Sequence, residues 1–257
     1  VAPARLTRRR FGSGLLAAAV APGCLTGGAA AIVEPAMNLL VPAGAPRTVA
    51  LTLDACGGAT DMRIVQALLD LSIPATIFVT GLWLRRNAEA LALLRGRPDL
   101  FSLQNHGELH LPPVLGARRV YGLAVAGTLD AVRREVERGA DLVAATGAPR
   151  PHWYRGAAGL YSPEAVALIQ EMGFAVAGYS LNGDQGASLP AASAARRIAA
   201  AAGGDVIISH VNQPRRPSGA GVADGVRALH AAGVVFVGLD ALPATPLVCG
   251  PRGGRGA

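Results

Sequence analysis

"TVALTLDACGGATDMRIVQALLDLSIPATIFVTG", residues 48–81, holds a complete strand–helix–strand unit. "TVALTL" (48–53) is a short apolar run rich in β-formers. "DMRIVQALLDL" (61–71) spaces its apolar residues at helical intervals. "PATIFV" (74–79) returns to the strand pattern. Strands joined by a helical crossover run parallel, with the helix on one face of the sheet.

The same alternation continues downstream. "LFSLQ" (100–104), "HWYR" (152–155), "FAVAGYS" (174–180), "DVIISH" (205–210) and "VVFVGL" (234–239) are the further candidate strands. Between them lie "AEALALLRG" (88–96), "LDAVRREVERGADLVAATG" (129–147), "SPEAVALIQEMG" (162–173) and "AASAARRIAAAAGG" (191–204), several ending on a helix-stopping glycine. Seven strand units are too many for a small open sheet and predict an α/β barrel or near-barrel over residues 48–241. The Pro/Ala-rich residues 32–47 read as a linker, and residues 242–257 as a flexible tail.

Charge excludes a nucleic-acid partner. The net charge is +7, but Arg5, Arg8, Arg9 and Arg10 supply four of it, so +7 minus four leaves +3 for the rest. No basic stripe remains. "TRRRFGSGLLAAAVAPGCLTGGAAA" (7–31) has a basic start, an apolar run and small residues at Ala29–Ala31. It reads as an export signal of twin-arginine type, placing the protein in the periplasm or outside the cell and giving it no other membrane contact. In an exported chain Cys56 and Cys249 either form a disulfide or stay as buried thiols.

Polar residues gather at the predicted strand ends. Asp54 closes the first strand, His106 and His110 follow the third, Arg155 the fourth, Asn182 and Asp184 the fifth, His210 the sixth and Asp240 the seventh. In a parallel barrel these ends open on one face, where active sites lie. His106 and His110, four apart, share a face if the segment is helical and can hold one divalent metal, zinc being the preferred ion. Candidates for a third ligand are Asp54, Cys56 and Asp61, with Asp54 or a water preferred. Asp61 is otherwise an acid of a first helical turn.

These motifs resemble those of the polysaccharide deacetylases, carbohydrate esterase family four. "VALTLDACGG" is similar to the family's Thr-Phe-Asp-Asp-Gly motif, and "NHGELH" to its His-x-x-x-His metal motif. "RPHWYRGAAG" stands where the family has Arg-Pro-Pro-Tyr-Gly, "GYSLNGDQGA" at the fourth motif, and "VIISH" at the Leu-x-His motif. The resemblance spans about residues 48–240. It implies a distorted (β/α) barrel and a metal-dependent hydrolase acting on acetylated polysaccharide. It implies that Asp54 is the catalytic base, His106 and His110 the metal ligands, and Arg155 the residue orienting the base. Asp184 would tune His210, the general acid. The "DACGG" wording looks like a divergent subgroup. Ala55 replaces the family's second Asp, a metal ligand, and Gly156–Ala158 replace Pro-Pro-Tyr. Two alternatives follow: a carbohydrate-binding barrel without catalysis, or a hydrolase of O-acetyl esters or non-sugar amides.

Overall fold

The computed structural model describes residues 32–116, 118–245 and 247–250; the predicted export signal lies outside them. Strand β1 (Glu34–Ala36) precedes the central strand β2 (Thr48–Ala55), all eight residues of which are buried. Helix α1 (Met62–Asp70) and β3 (Ala75–Val79) complete the first unit. Then come α2 (Gly81–Leu84), α3 (Ala88–Arg95), β4 (Phe101–Asn105) and the small hairpin β5 (Arg119–Val120)–β6 (Leu123–Ala124). The long α4 (Leu129–Ala145), β7 (Trp153–Tyr154), α5 (Pro163–Glu171), β8 (Ala175–Val176) and β9 (Leu181–Asn182) follow. The chain ends with α6 (Ala191–Ala199), β10 (Val206–His210), α7 (Ser218–Ala231), β11 (Val235–Val237) and β12 (Val248–Gly250). Each of the seven predicted strands is present, and all are parallel.

Topology forces the sheet to curl. Its order is β8-β7-β4-β3-β2-β10-β9, with β11 beside the first half of β2. Laid flat, seven strands would put the outer two about 29 Å apart. Yet β8 and β9 are joined only by residues 177–180, a link that reaches at most about 18 Å. The sheet therefore bends into a distorted barrel whose seam is residues 177–180.

Residues 32–47 are not a linker. Val33, Met37 and Leu39 are buried. Ala36 bridges to Tyr179 at the seam, and Asn38 to Asp205 at the start of β10. Met37 and Leu39 pack with Ala50, Phe78, Ala177 and Val206 inside the barrel. The segment fills the gap that the ladder leaves open. Nor is the tail free throughout, because β12 pairs antiparallel with β1. Prolines and alanines gave this segment a loop-like composition, while its few large side chains set its burial.

Outside the sheet, Leu51 and Leu53 of β2 pack with Ile64, Val65 and Leu68 of α1 and Val222 and Val226 of α7. Asp61 caps α1, accepting from Arg63 N–H at 3.1 Å. Among the described residues no helix is long and apolar enough to cross a membrane. Helices α6 and α7 approach closely through glycine: a Cβ at Gly221 would lie 2.1 Å from the Ala191 carbonyl oxygen, and one at Gly225 would lie 2.7 Å from Ile198 Cβ. Gly221→Val should therefore lower stability by about 1–3 kcal/mol, seen as a lower urea midpoint with little change in slope.

Candidate active site

The strand register levels the site residues. His210 pairs with Asp54, Ala55 with Val79, Val79 with Asn105, and Asn105 with Tyr154. The residues leaving these ends, Cys56, Thr80, His106 and Arg155, emerge together on the C-terminal face of the barrel.

Asp54 and Arg155 form a buried ion pair at its centre. Arg155 is fully buried and Asp54 is 3% exposed. Arg155 Nη1 donates to Asp54 Oδ1 at 2.9 Å and to Thr52 Oγ1 at 2.8 Å. Nη2 donates to the Gly178 carbonyl at 3.1 Å, and the guanidinium lies 4.3 Å from the Phe78 ring centroid. Burial opposes ionisation of Asp54, but Arg155, His106 and His210 outweigh it and hold the carboxyl below its usual range.

His106 is 1% exposed, and its Nδ1 lies 2.6 Å from the Arg155 carbonyl oxygen. A carbonyl only accepts, so Nδ1 carries the proton. Nε2 then faces Asp54 Oδ2 and Cys56 Sγ, each at 3.6 Å. His106 and His110 come together with ring centroids 4.9 Å apart, but not on a helix as the spacing predicted. The segment is a loop, turned by Gly107 at φ +87° and by His110 itself at φ +62°. A non-glycine residue in the left-handed region needs its surroundings to hold it there.

Glu135 of α4, which the sequence did not single out, does the holding. Its buried carboxylate accepts from Leu109 N–H at 2.9 Å and from Leu111 N–H at 3.1 Å, either side of His110. Asn105 adds a second brace, donating to the Val136 carbonyl at 2.8 Å and accepting from Gly107 N–H at 2.9 Å. A Cβ at Gly107 would meet Glu135 Oε1 at 2.3 Å, so the glycine also provides clearance.

Cys56 is a free thiol. Burial raises its pKa, but the His106, His110 and His210 rings outweigh this and bring the thiol well below its usual range. His210 Nδ1 donates to Asp184 Oδ1 at 3.0 Å, and its backbone N–H to Oδ2 at 2.7 Å. Burial lowers the His210 pKa, but Asp184 and Cys56 together more than compensate and lift it well above the usual value.

Three groups stand apart from this cluster. Asp61 is the α1 cap and pairs with Arg63. Asp240 lies elsewhere, accepting from the His152 and Trp153 rings at 2.8 Å each. Gly156 N–H is taken by the Tyr161 hydroxyl at 2.6 Å. The remaining donors suit a cation. Cys56, His106 and His110 place one ligand atom each within 4.8 Å of the others, and His110 Nε2 is buried without a hydrogen-bond partner. An orphaned imidazole nitrogen beside a second imidazole and a thiol is the donor set of a transition-metal site.

A family model described as polysaccharide deacetylase matches residues 42–177. The chain belongs to the polysaccharide deacetylase family. Curated proteins give no match. Among solved structures, a family 4 carbohydrate esterase from Streptomyces lividans in complex with acetate is 18% identical with a TM-score of 0.58, covering 75% of this chain and 93% of that one. A peptidoglycan deacetylase from Bacillus subtilis is 19% identical with a TM-score of 0.59, covering 76% and 88%. A family pseudoenzyme from Bacillus anthracis is 16% identical with a TM-score of 0.59, covering 77% and 65%. These likenesses show a shared fold.

Removing one partner of the central pair leaves a buried charge. Arg155→Leu should cost about 3–5 kcal/mol, and Asp54→Leu/Arg155→Leu together markedly less. Urea unfolding of both variants reads the difference.

Proposed function

We propose that this protein is a metal-dependent hydrolase that removes acetyl groups from an N-acetylated glycan, cleaving a carbon–nitrogen bond outside any peptide. The observation that carries this reading is the pairing of an orphaned His110 Nε2 with a His106 whose Nε2 faces both its neighbour cluster and Asp54. His106 and His110 would hold the cation, zinc being the preferred ion. When bound, it polarises the acyl carbonyl and acidifies a water.

The chain's own groups do the proton work. Asp54 Oδ2 takes a proton from the attacking water, while Arg155 keeps Oδ1 and fixes the carboxylate's orientation. His210 gives a proton to the departing nitrogen, with Asp184 holding its Nδ1–H and setting the tautomer. Water oxygen adds to the carbonyl carbon, the C–N bond breaks, and acetate and a free amine leave. Residues 7–31 support a site of action in the periplasm or outside the cell.

Ala55 supports a second reading, a carbohydrate-binding barrel without turnover, because it brings only a methyl where the family carries a ligating carboxylate. Acetate release from chitooligosaccharides and peptidoglycan fragments separates the two, with O-acetyl esters and simple acetamides run alongside. The expected result is turnover abolished by a chelator and restored by zinc, with Asp54→Asn slower by about 10²–10⁴-fold. Saturable glycan binding without acetate from any substrate, zinc present, would establish the binding protein instead.

A further inference from the structure

We propose that Cys56 supplies the third protein ligand, as a thiolate, to the cation held by His106 and His110; this rests on the metal-dependent reading above. The other candidates are occupied. Ala55 has no donor and packs in the outer core with Leu51, Leu53 and Val79. Asp61 caps a helix and pairs with Arg63. Asp54 has one oxygen on Arg155 and stands outside the three-atom cluster.

The geometry of Cys56 fits. With Zn–S about 2.3 Å and Zn–N about 2.05 Å at tetrahedral angles, the sulfur-to-nitrogen edge of a zinc site is about 3.6 Å. Cys56 Sγ lies 3.6 Å from His106 Nε2. The His106 ring is already oriented by a backbone carbonyl at Nδ1, the outer arrangement that fixes metal-bound imidazoles.

The loop carrying the sulfur is also built to stay put. Thr80 Oγ1 donates to the Cys56 carbonyl. Asn212 is 2% exposed, and with its amide oriented to satisfy both ends it donates to the Asp54 carbonyl at 3.2 Å and accepts from Gly57 N–H at 3.3 Å. A Cβ at Gly58 would fall 2.2 Å from the Asn212 carbonyl oxygen, so the turn closes on glycine. Two imidazoles and one thiolate leave a fourth position open, as catalytic zinc sites do. On binding, the thiol proton passes to solvent and the S–metal bond forms. A thiolate favours zinc, cobalt and cadmium over magnesium, calcium and manganese.

The test is titration of the metal-free full chain with Co²⁺ and Zn²⁺. The expected result is one equivalent of Co²⁺ with a sulfur-to-cobalt charge-transfer band in the near ultraviolet, absent in Cys56→Ser. Zinc affinity in that variant should fall by more than the about 10–100-fold that loss of an outer partner costs. A measurement on the unaltered chain covers misfolding of the variant: zinc should slow alkylation of Cys56 by iodoacetamide, followed by mass spectrometry of its peptide. One equivalent bound with no band and unprotected Cys56 would overturn the thiolate ligand and leave metal dependence standing. No divalent ion bound by the unaltered chain would overturn both.

Discussion

The Arg155 guanidinium is the interaction on which the rest depends. It joins β2 through Thr52 and Asp54 and the barrel seam through Gly178, and its own carbonyl fixes His106. A fully buried cation is tolerable only because all these acceptors, and the face of Phe78, surround it. Barrel closure and site assembly are therefore one event. The seam at residues 177–180 must reach the guanidinium for the charge to be satisfied, and the same charge helps hold Asp54 ionised, the form that the proposed role as base requires. Stability and chemistry draw on the same contacts, so substitutions here will move both.

Much of the barrel was legible because β2, β3 and β10 are continuous apolar runs bounded by polar residues, and runs of that kind separated by helices admit one arrangement. Two-residue β9 was not legible: Leu181–Asn182 has no pattern at that length, and its place follows only from pairing with Ile207 and Ile208. The role of residues 33–39 was hidden for a related reason. Their burial comes from a gap left by the sheet, a property of the closed fold and not of the segment's own composition.

The site was legible as residue types and not as geometry. The His-x-x-x-His spacing gave the pair but suggested a helix; Gly107 and a left-handed His110 give a loop instead. That loop holds its shape through Glu135, far along the chain on α4. Its signal in the sequence was faint: one acid on the apolar face of a helix that also presents Val132, Val136 and Val143 to the core. An acid at such a position must meet donors, and the donors are the backbone N–H groups of the loop. Gly139, the next turn, completes the contact by letting Asn105 and Gly107 approach the helix.

The proposed division of labour at the mouth follows from what Asp54 cannot do twice. A carboxylate that ligates a cation surrenders basicity to it, and one that accepts a water's proton needs a lone pair free of metal. Arg155 settles Oδ1, and Oδ2 lies 3.6 Å from His106 Nε2, beside the cluster and not within it. Keeping Asp54 as the base therefore leaves the third protein ligand to come from elsewhere. Ala55 removes the neighbouring option and Cys56 sits one residue on, with its sulfur among the imidazoles. Exchanging a carboxylate for a thiolate preserves the ligand charge, a single negative, while changing which metals the site prefers. On this reading the departure at Ala55 relocates the anionic ligand by one residue, and the base is left to its own work.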